Sequence, residues 1–221
     1  MRIALTTLVL ALAVTACASA FPDPGAGKPA AWEPPAPAPA PAPAPKAKVL
    51  WRDSVSIGTP SAGRLVRGVK FPAEGEEFFT WDPLLHRVPN RASRRWGSDR
   101  LVRFVLRVIA EYAAAHPNAP RVGVGDLSKR RGGQFGPVHA THQNGRDADI
   151  YYPRKDRVER PPLSVSQIDR RLAQDLVDRF VAAGATLVYV GPNTGFTGPR
   201  GVVEVLWNHD NHLHVRIGGR T

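Results

Sequence analysis

A histidine-rich stretch near the end of the chain carries the residues most able to do chemistry. The stretch NHDNHLHVRI contains three of the seven histidines, His209, His212 and His214, within six positions. His212 and His214 are two residues apart, so on a strand their side chains point to the same face. Such a pair could bind a metal ion together, or one imidazole could bind it while the other transfers protons.

A second group of histidine and aspartate residues lies about seventy residues upstream, in the stretch HATHQNGRDADIYY. Its Asn144-Gly145 pair predicts a two-residue hairpin turn, because both residue types tolerate positive φ. In such a hairpin His142 faces Asp147, and alternation along the strand places Asp149 on the same face. We therefore expect His142 and Asp149 to be diagonal neighbours that can reach one ion.

Together the two stretches predict a zinc site. If one or both histidines of the terminal His-x-His pair lie on a strand next to His142 and Asp149, two imidazoles and one carboxylate can surround one ion. Three protein ligands leave a fourth position for water, which is typical of catalytic rather than structural zinc sites. The single cysteine of the chain is Cys17, so a site made of thiolates is excluded.

Short strands and two helices are expected to position these residues. The runs SVSIG, RLVRGVKF and EEFFTW predict strands, because turns containing Gly and Pro separate them. RVGVGDL predicts a strand that enters a Gly-rich loop, and TLVYVG predicts a buried strand. Strands in runs with two inserted helices indicate an α+β domain, with a small, largely antiparallel sheet and two main helices packed on it.

Both predicted helices have one apolar face at helical spacing. The first covers SDRLVRFVLRVIAEYAAAH, where Ser98 can cap the helix, Asp99 suits its first turn and Pro117 ends it. The second runs from about Val165 to Ala183 and is followed by a glycine. Their apolar faces are expected to cover the sheet.

The beginning of the chain predicts export. Residues 1–20 combine an early positive charge, a short apolar run and small residues, as in a secretory signal peptide. VTAC is typical of a lipobox that ends at Cys17 and would leave it lipidated, whereas A-x-A cleavage after Ala20 is the alternative. Residues 21–48 are rich in Pro and Ala and predict a semi-rigid polyproline linker. The folded domain is expected over residues 49–221.

The formal charge of +11 indicates an anionic environment. In an exported protein, cell-envelope polymers are favoured over nucleic acid, for which the sequence has no recognition motif. A solvated basic surface is the alternative, since charge alone does not identify a partner. We expect a protein of the periplasm or cell envelope. If Cys17 is acylated, the protein would be anchored to a membrane, with the outer membrane as the candidate.

The same stretches carry a resemblance to a known family. GDLSKRRGG, GPVHATHQNGRDADIYY and the terminal HDNHLHVRI resemble the penicillin-insensitive murein endopeptidases. These are LAS metallopeptidases, related to lysostaphin and to D-Ala-D-Ala peptidases. The resemblance covers roughly residues 122–217 and implies a fold of the LAS type. The paired motif H-x2-H-x6-D and H-x2-H-x-H-V-R is specific.

The resemblance implies a role for each histidine and aspartate of the paired motif. Its zinc ligands would be His142, Asp149 and His214. His212 would be the catalytic base, and His209 a second functional histidine that contacts the substrate or the transition state.

Three further residues are weaker candidates. His139 matches a histidine that contributes to the site or to a second metal, although strand alternation would turn it to the other face. Asp147 could hydrogen-bond a ligand histidine or stabilise the turn. Arg216 could bind a substrate carboxylate with its planar guanidinium, or end the strand in solvent.

The implied reaction is hydrolysis of the amide between D-Ala and meso-diaminopimelate in peptidoglycan cross-links, by a metal-activated water. No serine nucleophile takes part, which would explain indifference to β-lactams. Two alternatives stay open: a D-Ala-D-Ala carboxypeptidase or dipeptidase of the same group, and a non-catalytic wall-binding lipoprotein.

Overall fold

The computed structural model describes residues 48–136 and 139–219. The predicted signal peptide, Cys17 and the predicted linker up to residue 47 lie outside the described residues. Within the described residues the helices are α1 (Asp99–Ala115) and α2 (Arg170–Ala182). The strands are β1 (Val55–Gly58), β2 (Gly63–Val66), β3 (Val69–Lys70), β4 (Phe78–Thr80), β5 (Trp96–Gly97), β6 (Val122–Val124), β7 (Asp147–Tyr151), β8 (Ala185–Val190), β9 (Val203–Val205) and β10 (His212–Ile217).

Six of these strands form one sheet in the order β4-β6-β7-β10-β8-β9. The three central pairings, β6-β7, β7-β10 and β10-β8, are antiparallel, and the two outer pairings are parallel. The other described strands form two small antiparallel ribbons, β1-β2 and β3-β5. The predicted α+β fold with a largely antiparallel sheet is therefore confirmed.

Helix α1 forms where the sequence predicts it. The Ser98 hydroxyl accepts a hydrogen bond from the Leu101 amide at 3.2 Å, and Asp99 occupies the first turn, where an acidic side chain favours the helix dipole. The helix ends at Ala115, two residues before Pro117. None of the helices among the described residues is long and apolar enough to cross a membrane.

Helix α2 begins later than the sequence predicts. Val165–Gln167 form a separate 3-10 turn, and α2 starts at Arg170 because the Asp169 carboxylate caps the Leu172 amide at 3.1 Å. Ile168 is buried as expected, but it precedes the helix rather than lying on its face.

One face of the six-stranded sheet packs against both helices. Ala148 and Ile150 of β7 and Leu213 and Val215 of β10 are fully buried in one hydrophobic cluster with the apolar faces of α1 and α2. Because side chains alternate along a strand, the intervening residues of β7 and β10 point away from the helices. The polar strand residues Asp147, Asp149, His212, His214 and Arg216 therefore share the opposite face.

The predicted hairpin at Asn144-Gly145 is wrong. Gly145 has φ 72°, as a turn requires, but β7 pairs with β6 and β10 rather than with the segment before the turn. That segment bends away because distant groups bind its backbone: the Gln143 amide donates to the Pro60 carbonyl and the Gln143 carbonyl accepts from the Gly133 amide. His142 consequently approaches β7 from an irregular loop.

Candidate metal centre

The site lies on the sheet face opposite the helices, where β7 and β10 run side by side. Their register pairs His214 with Asp149, so these two side chains are direct neighbours on one face. The same register places Arg216 opposite Asp147. His142 enters from the loop before β7, and the structure thus brings together the three residues that the sequence suggests as zinc ligands.

Three atoms of these residues converge within hydrogen-bonding distance of one another. His142 Nε2 lies 3.2 Å from His214 Nδ1 and 3.3 Å from Asp149 Oδ1, and His214 Nδ1 lies 3.1 Å from Asp149 Oδ1. Ligands about 2.0–2.1 Å from a tetrahedral zinc are separated by about 3.3 Å. The triangle therefore has the dimensions of three corners of such a site.

The opposite nitrogen of each imidazole faces an oxygen acceptor. His142 Nδ1–H donates to the Leu127 carbonyl, and His214 Nε2–H donates to Asp147 Oδ1 at 3.0 Å. In these tautomers, His142 Nε2, His214 Nδ1 and Asp149 Oδ1 all direct lone pairs at the same point. Three acceptors that face each other in a buried site require a shared cation, either a proton or a metal ion.

The charges around the triangle favour a cation. Burial alone would lower the pKa of His214, but hydrogen bonds to Asp147 and Asp149 and their negative charge raise it to about 9. Burial would raise the pKa of Asp149, yet the charge of His142 and hydrogen bonds from the surrounding histidines hold it well below its ordinary value. Groups that stabilise a proton here also stabilise a metal ion, which competes for the same lone pairs.

His142 owes its position to the Gly-rich loop (residues 127–133). Its backbone is left-handed, with φ 68°, and its carbonyl accepts a hydrogen bond from the Ser128 hydroxyl. Gly132, in the same loop, has φ 68°, and a Cβ there would lie 2.0 Å from the Gln143 carbonyl oxygen. The loop can therefore approach the His142 segment closely only with glycine at this position.

His139 also reaches the site, contrary to its predicted orientation, because its segment is not a strand. Its Nε2 lies 3.3 Å from Asp126 Oδ2 and 3.6 Å from Asp149 Oδ2. Burial would lower its pKa, but these two carboxylates raise it to about 9. His139, His142 and Asp149 form a second group that could hold an ion, with ligand atoms within 4.8 Å of one another. The triangle with His214 is tighter.

A buried ion pair that the sequence did not reveal supports this side of the site. Arg94 Nε donates to Asp126 Oδ1 at 2.7 Å, and Asn90 Nδ2 donates to the same oxygen at 3.0 Å. Burial would raise the pKa of Asp126, but hydrogen bonds from Arg94 and His139 lower it. Arg94 and Asn90 lie more than thirty residues before Asp126, so no local motif could connect them with it.

His212 lies beside the triangle and not in it. Its Nε2 is 3.9 Å from Asp149 Oδ1, and its Nδ1–H donates to Asn211 Oδ1 at 2.6 Å. This hydrogen bond leaves Nε2 as an unprotonated acceptor that faces the site. Burial lowers the pKa of His212 to about 4, so the imidazole is neutral at physiological pH.

His209 stacks against His212, with ring centroids 4.6 Å apart and planes at 29°. Its Nδ1–H donates to the Trp207 carbonyl at 3.0 Å, which leaves Nε2 as an acceptor. Burial lowers the pKa of His209 as well. Tyr189 of β8 packs next to His209 and His214. Its ring centroid lies 5.8 Å from the ring centroid of each.

Asp147 and Arg216 form an ion pair directly behind His214. Arg216 Nε donates to Asp147 Oδ1 at 2.6 Å, and the Asp147 side chain is fully buried. Burial would raise the pKa of Asp147, but the hydrogen bond and charge of His214, with the charges of His142 and Arg216, lower it. Asp147 thus holds a candidate ligand, and Arg216 neutralises Asp147 instead of ending the strand in solvent.

Comparisons with known proteins identify the family of the chain. The sequence model of the family described as penicillin-insensitive murein endopeptidase matches residues 56–184, more than half of the chain. The chain is 30% identical over 125 residues to the penicillin-insensitive murein endopeptidase of Escherichia coli O17:K52:H18 (strain UMN026 / ExPEC). The protein of that name from Shigella boydii serotype 18 gives the same identity.

These alignments cover 56% of the chain and 40% of the relatives' length. The family match contains His142 and Asp149 and ends before the terminal histidines. Sequence and site together point to the same conclusion. The chain belongs to the penicillin-insensitive murein endopeptidase family.

Proposed function

We propose that the protein is a zinc-dependent peptidoglycan endopeptidase that hydrolyses the amide between D-Ala and meso-diaminopimelate in cross-links. The observation that carries this proposal is the triangle of His142 Nε2, His214 Nδ1 and Asp149 Oδ1, with edges of 3.1–3.3 Å. The family membership supports murein as the substrate, because the relatives are named for acting on it.

The donor set fits zinc. Two imidazole nitrogens and one carboxylate oxygen are ligands that zinc accepts, and a set of three protein ligands leaves one position open. When bound, the ion would lower the pKa of a water molecule to about 7 and polarise the scissile carbonyl. Asp147 would hold His214 in the ligating tautomer, and the Leu127 carbonyl would do the same for His142.

We assign proton transfer to His212. Its neutral Nε2 faces the site, so it can accept a proton from the attacking water and then donate it to the leaving amine. Asn211 holds the ring in the tautomer that this role needs. His209 presents an acceptor nitrogen beside His212 and can accept a hydrogen bond from an N–H group of the substrate peptide.

The test combines metal analysis with digestion of purified sacculi. Wild type should bind one or more equivalents of zinc and release uncross-linked muropeptides, and His212→Ala should keep the zinc but lose most of the activity, by about 100-fold or more. His116→Gln is the matched control, since His116 pairs with Asp175 in the helical layer. Its activity should equal that of wild type.

Three outcomes would contradict the proposal in different ways. Wild type that binds zinc without cutting sacculi would favour a non-catalytic wall-binding protein. Release of free D-Ala without loss of cross-links would favour the carboxypeptidase alternative. Full activity of His212→Ala would remove His212 as the base.

We also propose that the protein is exported and lipid-anchored through Cys17 in the cell envelope. The signal-like residues 1–20 and the Pro/Ala-rich residues 21–48 support this, because a semi-rigid linker would carry the domain away from a membrane. Cells grown with labelled palmitate should label the wild-type protein and leave Cys17→Ser unlabelled. Equal labelling of both would refute the anchor.

A further inference from the structure

A short turn between β9 and β10 sets the positions of the two terminal histidines that lie outside the triangle. This histidine turn (residues 206–211) contains His209 and leads directly into His212, the first residue of β10. The turn lies after the last residue of β9 and before the first residue of β10, so strand pairing does not fix its conformation. Its shape must come from the individual hydrogen bonds that it makes with neighbouring segments.

Asp210 of the histidine turn binds the loop that follows β8. Its Oδ1 accepts a hydrogen bond from the Asn193 backbone amide at 3.0 Å, and its Oδ2 accepts one from Asn193 Nδ2 at 2.6 Å. That loop is itself a compact turn, because the Gly191 carbonyl accepts from both the amide and the hydroxyl of the buried Thr194. A carboxylate held at two points by such a loop has one fixed orientation.

The loop and the histidine turn also approach each other closely. A Cβ at Gly191 would lie 2.3 Å from Asp210 Oδ1 and 2.5 Å from the Asp210 backbone nitrogen, so this contact requires glycine. Backbone bonds hold the turn at its ends: the Leu206 amide donates to the last carbonyl of β8 at 2.9 Å, and the Asn211 carbonyl accepts from the Tyr152 amide at 3.3 Å. Asp210 supplies the side-chain contact between these two ends.

The two chain neighbours of Asp210 both contact His212. His209 stacks its ring on the His212 ring, with centroids 4.6 Å apart, and Asn211 Oδ1 accepts a hydrogen bond from His212 Nδ1–H at 2.6 Å. Asp210 lies between these neighbours in the chain, so a movement of the turn changes both contacts together. Displacing a group that acts on the reacting atoms by about 1 Å can reduce a rate about a hundredfold.

We propose that Asp210 is a positioning residue: its two bonds to Asn193 hold the histidine turn in the conformation that sets His209 and Asn211 against His212. The catalytic consequence rests on the proposed function, in which His212 transfers protons, whereas the positioning itself does not. Hydrogen bonds to a carboxylate are about twice as strong as those between neutral groups, so aspartate suits this task better than asparagine.

The kinetic test uses two single variants and one reciprocal double variant. Asp210→Ala removes both acceptors, and Asn193→Asp sets two carboxylates against each other, so each should lower kcat about ten- to a hundredfold at the zinc content of wild type. KM should change by less than about threefold, because the loss concerns proton transfer rather than substrate binding. The reciprocal variant Asp210→Asn/Asn193→Asp restores both bonds, with the side-chain donor now at position 210, and its kcat should return to within about threefold of wild type.

Asp175→Ala is the matched control. Asp175 is half-buried like Asp210 and also makes two contacts, with Arg179 Nε at 2.6 Å and with His116 Nε2 at 2.9 Å, but it lies on α2, on the other face of the sheet. Its kcat should equal that of wild type. Neither Asp210 nor Asn193 belongs to the hydrophobic core, so all variants should stay folded.

Amide hydrogen exchange tests the positioning without an enzymatic assay. In Asp210→Ala, the Leu206 and Tyr152 amides, whose bonds hold the ends of the histidine turn, should exchange at least about tenfold faster than in wild type. The reciprocal variant and Asp175→Ala should keep the wild-type exchange rates. Unchanged exchange in Asp210→Ala, or a reciprocal variant with a kcat as low as that of Asp210→Ala, would overturn the proposal. Faster exchange in Asp210→Ala when wild type cleaves no sacculi would uphold the positioning and refute only the hydrolase.

Discussion

Asp147 should control both the stability of the site and its affinity for metal. The carboxylate is fully buried, and its Oδ1 accepts hydrogen bonds from His214 Nε2 at 3.0 Å and from Arg216 Nε at 2.6 Å. Asp147→Asn preserves the shape of the side chain but removes its charge. It leaves the Arg216 guanidinium without a counter-ion and no longer holds His214 in one tautomer.

The magnitude follows from the two lost interactions. A hydrogen bond to a charged group contributes about 1.5–3 kcal/mol. The Arg216 side chain is 21% exposed and can regain some water, so the lower value applies to its bond. The metal-free variant should therefore lose about 3 kcal/mol of unfolding free energy, or roughly 6–12 °C in Tm for a domain of this size. Its zinc affinity should fall about ten- to a hundredfold, as for other residues that orient a metal ligand.

Zinc affinity is measured by competition with a fluorescent chelator, and unfolding is followed by circular dichroism in the presence of EDTA. Asp178→Asn is the control, since Asp178 is exposed on α2 and accepts a bond from Gln174 at 2.8 Å. It should change the unfolding free energy by no more than about 0.5 kcal/mol. A folded Asp147→Asn protein with zinc affinity within about twofold of wild type would refute the role of Asp147 in orienting His214.

Three more predictions concern the elements around the site. Asn211→Ala should lower kcat about tenfold at unchanged zinc content, because the base histidine loses the bond that fixes its tautomer; unchanged kcat would contradict this. Gly132→Ala should lower the unfolding free energy by about 3 kcal/mol or more, since its Cβ would meet the Gln143 carbonyl. Gly133→Ala, with open space around its Cβ, should lower it by only about 1 kcal/mol. Equal losses of unfolding free energy in urea would argue against the close approach at Gly132. Burial would raise the pKa of Asp99, but hydrogen bonds from the segment before β1 lower this pKa below 3.8. The ionised Asp99 therefore stabilises the fold above pH 3.8, and this stabilisation is lost as the pH falls through the folded pKa. The difference in urea midpoint between wild type and Asp99→Asn should therefore shrink from about pH 6 to about pH 2, and a constant difference would contradict the assignment.

Local sequence was enough for α1 and for the strands that meet at the site. Ser98 and Pro117 set where the helix begins and ends, and they act within a few residues of its ends. Its apolar face follows from 3.6-residue periodicity. The shared face of His212 and His214 on β10 follows from the two-residue period of a strand. In these cases the signal and the structure that it specifies lie in the same short segment.

The approach of His142 to β7 was predicted for the wrong reason. The Asn-Gly pair suggested a hairpin, but backbone groups of the segment before it bind Pro60, Ser128 and Gly133. These partners are distant in sequence, so no turn rule could reveal them. The start of α2 was missed for a different reason: Asp169 is a good capping residue, but the apolar spacing extends before it to Val165.

By itself, the sequence determined which chemical groups are available, two imidazoles and a carboxylate, and it indicated the family. The tertiary structure alone decided how those groups are held. The pairing of β7 with β10 sets the register of Asp149 and His214, and the Gly-rich loop brings in His142. The Arg94–Asp126 pair and the Arg216–Asp147 pair balance the buried charges. Register, loop anchoring and charge balance depend on contacts between residues far apart in the chain, and a sequence read locally does not contain them.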